Sequence, residues 1–172
     1  MRKETTHNVV LLVEVAIMVA LATVLGFIRL FRMPQGGSIS LEMVPIFIIA
    51  LRRGGPVGLL AGGIYGLLQL LIDPYIVHPV QVLLEYPLAF ALVGLAGFFK
   101  EKPWLGITVG SAARYIVHVI SGMIFFGSYA PEGTPVLIYS LGYNAIYILP
   151  NLIISGLIVG LLAPVVKYGL KR

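Results

Sequence analysis

The chain has no cysteine, which excludes disulfides, thiolate nucleophiles and cysteine-ligated zinc in one step. Charge is scarce: 11% of residues are Asp, Glu, Lys or Arg, against about 25% in ordinary soluble domains. Histidine occurs three times, at positions 7, 78 and 118. These share no metal-chelating spacing, and no His-Glu-x-x-His is present, so no metal site is expected. The Gly-x-x-x-x-Gly-Lys-Ser/Thr phosphate loop is also missing, so ATP hydrolysis by that route would need another chain. Polar interludes run to about a dozen residues, far short of the roughly 50 that a separate soluble domain requires. Tryptophan is confined to Trp104.

Apolar sequence is what the chain has in quantity. It is 59% hydrophobic with a mean hydropathy of +0.99, the composition of an integral membrane protein. Residues 1–172 read as a single membrane domain, an all-α bundle in the lipid bilayer. A span takes about 20 apolar residues, and six segments are candidates: Asn8 to Phe31, Leu41 to Leu51, Pro56 to Ile72, Val80 to Phe99, Leu105 to Phe126 and Gly142 to Val166. The second covers only about 16 Å at 1.5 Å per residue. It is therefore either a partial helix buried among the others or a helix extended by the preceding loop. Ala20-Leu21-Ala22 imitates a signal-peptide cleavage site, but Glu14 interrupts the apolar region and apolar residues continue beyond it, so the first segment reads as a retained span.

Counting bases gives an orientation. With the amino terminus inside, the inner side holds Arg2, Lys3, Arg52, Arg53, Lys100, Lys102, Lys167, Lys171 and Arg172. Arg29 and Arg32 fall outside and Arg114 lies within the membrane. The positive-inside rule then places both termini in the cytoplasm, and the basic balance needs no nucleic acid to explain it. Small residues four apart (Gly58, Gly62 and Gly66; Gly106 and Gly110; Gly156 and Gly160; Ala16 and Ala20) mark faces where helices approach closely. For most of them packing within the bundle is the expected use.

Glu85 stands inside the fourth apolar segment, where a charge costs roughly 2.5 to 3.5 kcal/mol at the bilayer centre and so marks a functional site. Under this topology several other polar groups reach the same outer depth: Glu42, Asp73, Tyr75, Tyr86, Arg114, His118, Tyr139, Tyr143 and Asn144. A carboxylate among aromatic rings suits an organic cation through charge pairing and cation–π attraction. An amide and an imidazole can read a heterocycle's donors and acceptors. The ligand implied is small, flat, nitrogen-rich and positively charged.

Each residue also has a purely structural explanation. Glu85 can pair with Arg114, His118 can be a satisfied bundle histidine, Asn144 can cross-link helices, and the tyrosines can belong to an interfacial belt. Pro87 is an ordinary kink, or else frees the Leu83 carbonyl for a ligand. Glu14 lies near the inner end and reaches the cytoplasmic interface. An enzyme is not expected: Ser111 and His118 are about 10 Å apart along one helix, too far for a nucleophile and its base. A scaffold subunit that binds no ligand remains an alternative.

These residues resemble a known family. Leu12 to Ala22, Leu51-Arg52-Arg53-Gly54, Leu84-Glu85-Tyr86, Arg114-Tyr115-Ile116-Val117-His118, Gly122 to Phe126 and Tyr139 to Asn144 are similar to the thiamine-specific substrate-binding S components of energy-coupling factor (ECF) transporters. The resemblance implies a six-helix fold in a prokaryotic cell membrane, with a thiamine pocket toward the outside, covered by loop residues 32 to 41. It implies partnership with a transmembrane coupling protein docking on Ala16 and Ala20, and with two cytoplasmic ATPases. It implies ligand contacts from Glu85, His118, Tyr139 and Asn144, with Tyr75 and Tyr86 as aromatic neighbours. The family's tryptophan positions correspond to Ser38, Tyr65 and Phe126, which leaves Tyr65 and Phe126 to stack on the ligand. An S component for another small cationic or heterocyclic nutrient is the alternative within transport. No cofactor is implied.

Overall fold

The structure, a computed structural model, describes residues 2–162, with side chains from residue 8 onward. The end of the sixth expected segment, at Val166, and Lys167, Lys171 and Arg172 lie outside the described residues, as do the side chains of Arg2 and Lys3. The first helix, α1 (Arg2–Phe27), stops short of Phe31. Arg29 turns back to donate from Nε to the carbonyl of Gly26 at 3.1 Å, closing the helix end. The chain then enters a short antiparallel hairpin, β1 (Arg29–Arg32) against β2 (Ser38–Ser40). Gly36 and Gly37 form its turn with φ of 85° and 88°, a region that residues with a Cβ seldom occupy.

Of the two options for the second segment, the structure takes the buried partial helix. α2 (Met43–Arg53) has eight of its eleven residues buried, so it is a core rod surrounded by longer helices. α3 (Gly55–Ile72), α4 (Pro79–Phe99), α5 (Pro103–Phe125) and α6 (Val136–Leu161), with α1, are the five helices long and apolar enough to cross a membrane. Together with α2 they make a six-helix bundle among the described residues. α6 begins six residues before the expected Gly142, immediately after Pro135, whose carbonyl accepts from the Tyr139 amide.

Glycine faces set the crossings. Gly62 packs on the backbone carbonyl of Phe90 and Gly66 on that of Tyr86, leaving no room for a Cβ, and Gly58 meets Gly94. Gly110 of α5 abuts the Val93 carbonyl, and Gly156 of α6 abuts the Trp104 ring. Ala16 and Ala20 differ: both are exposed on α1, while Val15, Val19 and Ala22 pack inward. Glu14 pairs with Arg52, at 3.3 Å, and with Arg53, which fastens α1 to the last turn of α2.

Candidate ligand-binding site

α4 is not a uniform helix. Pro87 has no N–H to give the Leu83 carbonyl, and residues Leu84–Leu88 adopt a π-helical turn closed by the Ala89 amide on the Leu84 carbonyl. Such bulges widen a helix locally and recur at functional sites. This one presents Glu85 to the bundle interior. Two neutral groups hold its carboxylate: Gln81, one turn earlier on α4, and the Ser121 hydroxyl of α5 at 2.8 Å. Among the described residues no cation lies within ion-pairing distance of Glu85.

Arg114 is engaged elsewhere. Its Nη2 lies 3.8 Å from Oε1 of Glu42, and its guanidinium lies over the Phe90 ring, 4.1 Å from the centroid. Glu42 also accepts from the Tyr65 hydroxyl at 2.8 Å and from Gln69 at 3.4 Å. The Glu85–Arg114 bridge that the sequence allows is therefore not formed. Arg114, His118 and Ser121 share one face of α5 at spacings of four and three residues, and all three are buried.

α6 supplies a matching polar face of Ser140, Asn144, Tyr147, Asn151 and Ser155, all buried. Asn144 donates to the Ser140 carbonyl at 2.9 Å and to the His118 carbonyl at 3.4 Å, and it accepts from the Tyr147 hydroxyl at 2.7 Å. It thus bridges α5 and α6 while also lining the cavity. Tyr143 takes the Gln35 amide at 2.8 Å and donates to the Gly36 carbonyl at 3.1 Å. Asn151 accepts from the Ser40 amide at 3.0 Å and donates to the Ser38 carbonyl at 2.8 Å, so its amide mimics a neighbouring strand.

The hairpin is tied on its other flank as well. Asp73 pairs with Arg29 at 2.6 Å and Arg32 at 2.9 Å. The Asp73 carbonyl accepts from the Tyr86 hydroxyl at 3.2 Å, and that hydroxyl accepts from the Tyr75 amide at 2.7 Å. Beneath the hairpin lies a cavity of two lobes that share Gly36, Gly37, Glu85 and His118, with about 400 and 590 Å³ of atom-free space counting the open mouths.

Of the residues expected at the site, Glu85, His118, Tyr139, Asn144 and Phe126 line the first lobe, while Tyr75 and Tyr86 line the second beside Glu85 and His118. Phe126 and Tyr75 stack with centroids 6.0 Å apart, and Tyr139, Tyr143 and Tyr147 form a facing aromatic series. Tyr65 departs from expectation. It is fully buried with its edge on Phe90 and lines neither lobe, so it supports Glu42 and is not placed to stack on a ligand. Gln81, Ser121, Tyr147 and Asn151 are not among the residues that the sequence marks. Helical spacing could have found the first three, which stand four residues before Glu85, three after His118 and three after Asn144.

A bundle with five helices long and apolar enough to cross a membrane, and a polar, aromatic-walled cavity under a pinned hairpin, defines a multi-pass membrane protein with an internal cavity. The comparisons specify it: the family described as thiamine transporter protein (Thia_YuaJ) matches residues 12–169, and the chain belongs to that family. It is 46% identical to the thiamine transporter ThiT of Bacillus subtilis over 91% of this chain and 92% of that protein. It is 33% identical to ThiT of Lacticaseibacillus paracasei, over 92% and 89%. Among solved structures, ThiT from Listeria monocytogenes superposes with a TM-score of 0.86 at 32% identity, covering 95% of this chain and 98% of that one. The family is one of transporters, not enzymes.

Proposed function

We propose that the chain is the thiamine-binding subunit of an ECF-type uptake system, holding the vitamin in the two-lobed cavity and delivering it through an ATP-driven coupling module. The observation that carries this reading is Glu85: a carboxylate held by neutral donors, with no cation among the described residues within ion-pairing distance, in a cavity walled by tyrosines and Phe126. A cationic heterocycle supplies the missing countercharge. Glu85, His118, Tyr139 and Asn144 are the proposed contacts, with Tyr75, Tyr86 and Phe126 as aromatic walls. Ala16 and Ala20 form the proposed face for the transmembrane coupling protein, which two cytoplasmic ATPases would drive.

The cavity opens to the outside in this reading, and the end bearing Arg52, Arg53, Lys100 and Lys102 faces the cytoplasm, in keeping with the positive-inside rule. Because the chain has no cysteine, single cysteines test this directly. One at Glu132 should react with an impermeant maleimide on intact cells, and one at Glu101 should not. The substrate is tested by calorimetric titration of the purified protein with thiamine, riboflavin and choline. Saturable heat is expected with thiamine alone, and saturation by either competitor without thiamine binding would reassign the nutrient.

A further inference from the structure

His118 lines both lobes of the cavity, yet an imidazole can present a donor, an acceptor or a cation, and these recognise different ligands. The neighbouring arginine decides among them. Arg114 Nε lies 3.4 Å from His118 Nε2 in hydrogen-bonding geometry. A guanidinium donates only and keeps its charge throughout the accessible pH range, so Nε2 must be the unprotonated acceptor. With Nε2 occupied as acceptor, the ring proton of a neutral imidazole is on Nδ1. A second proton would remove the acceptor and set two like charges side by side in a buried site, which is unfavourable. Among the described residues Nδ1 makes no hydrogen bond, which leaves it for whatever enters the cavity.

Arg114 is itself held against rotation. Glu42 takes its Nη2 edge and Phe90 lies beneath its plane, and Glu42 is in turn held by Tyr65 and Gln69. We propose that Arg114 is a positioning residue that fixes His118 as a neutral imidazole with its proton on Nδ1, so that the cavity offers the ligand one ring N–H donor beside the Glu85 acceptor. This rests on the thiamine-site reading for its purpose but not for its geometry. The donor–acceptor pair matches a heterocycle that carries an acceptor nitrogen next to a donor group. It rejects one that presents only donors at that edge, since two donors would then face each other.

The test is the ¹⁵N spectrum of the full-length protein, labelled in histidine and reconstituted without ligand, with His118→Gln used to assign the resonances. The expected spectrum has a pyridine-like nitrogen at Nε2 and a pyrrole-like nitrogen at Nδ1. Arg114→Met should shift the ring toward the Nε2–H tautomer and weaken thiamine binding more than tenfold, whereas Arg114→Lys should restore neither the spectrum nor full affinity. A proton on Nε2 in the unaltered protein, alone or with one on Nδ1, overturns the proposal, and so does a tautomer unchanged in Arg114→Met. If the variants fail to fold, the unaltered spectrum still overturns the proposal when Nε2 carries a proton, and protonation at Nδ1 alone supports it. Failure of the unaltered protein to bind thiamine would overturn the substrate assignment and leave the tautomer result standing.

Discussion

Ser121 on α5 donates a 2.8 Å hydrogen bond to Oε1 of Glu85 on α4, joining two helices at the carboxylate proposed to meet the ligand. Gln81 holds the other oxygen, so the side chain is oriented before any ligand arrives. Glu85→Gln should preserve the shape of this site and remove its charge. Losing one partner of a buried charge pair costs roughly 2 to 5 kcal/mol, so thiamine affinity should fall well over tenfold by calorimetry. Ser121→Ala should weaken binding by about ten- to a hundredfold, in line with the roughly 1.5 to 3 kcal/mol of a hydrogen bond to a charged group. Unchanged affinity in both would remove Glu85 from the site.

Asn151 ties β2 to α6 through two backbone hydrogen bonds. Asn151→Ala should leave the bundle folded but loosen the hairpin that roofs the cavity. Faster hydrogen exchange at the Ser40 amide and faster release of thiamine in stopped-flow are the expected readouts. Exchange as slow as in the parent protein would show that other ties, such as Tyr143 to Gly36, suffice.

Tyr65 supports a carboxylate from beneath and does not line the cavity. Tyr65→Phe keeps the ring but leaves Glu42 without its shortest hydrogen bond. An unsatisfied buried group costs roughly 1 to 3 kcal/mol, more when charged. The thermal midpoint should drop by several degrees, with a smaller loss of thiamine affinity than in Glu85→Gln. Stability unchanged alongside a large loss of affinity would restore Tyr65 as a stacking residue.

Ala16 and Ala20 are exposed on α1, where a larger side chain meets no neighbour within the bundle. Ala16→Trp with Ala20→Trp should therefore leave thiamine binding by the purified protein within about twofold of the parent and abolish uptake by cells carrying the coupling module. Close packing of small residues is how membrane helices approach one another, so bulk on this face blocks docking alone. Normal uptake by the double variant would place the coupling surface elsewhere.

Much of this protein is legible along the chain. Hydropathy and helical periodicity are local, so the apolar segments, the shortness of α2, the glycine faces and the shared depth of Glu85, His118 and Asn144 can all be read without coordinates. A choice among partners cannot be read this way. Arg114 can reach toward either of two carboxylates, and which one it takes depends on how α4 and α5 are rotated where Gly110 meets the Val93 carbonyl. Packing gives Arg114 to Glu42 and leaves Glu85 to Ser121 and Gln81. The same packing buries Tyr65 beside Phe90. Pairing with Ser38–Ser40 makes Arg29–Arg32 a strand, although its apolar neighbours read as more helix. Sequence alone determined that a polar cavity would form in a membrane bundle; tertiary structure decided which carboxylate in it meets only neutral donors among the described residues, because that depends on distances between helices far apart in the chain.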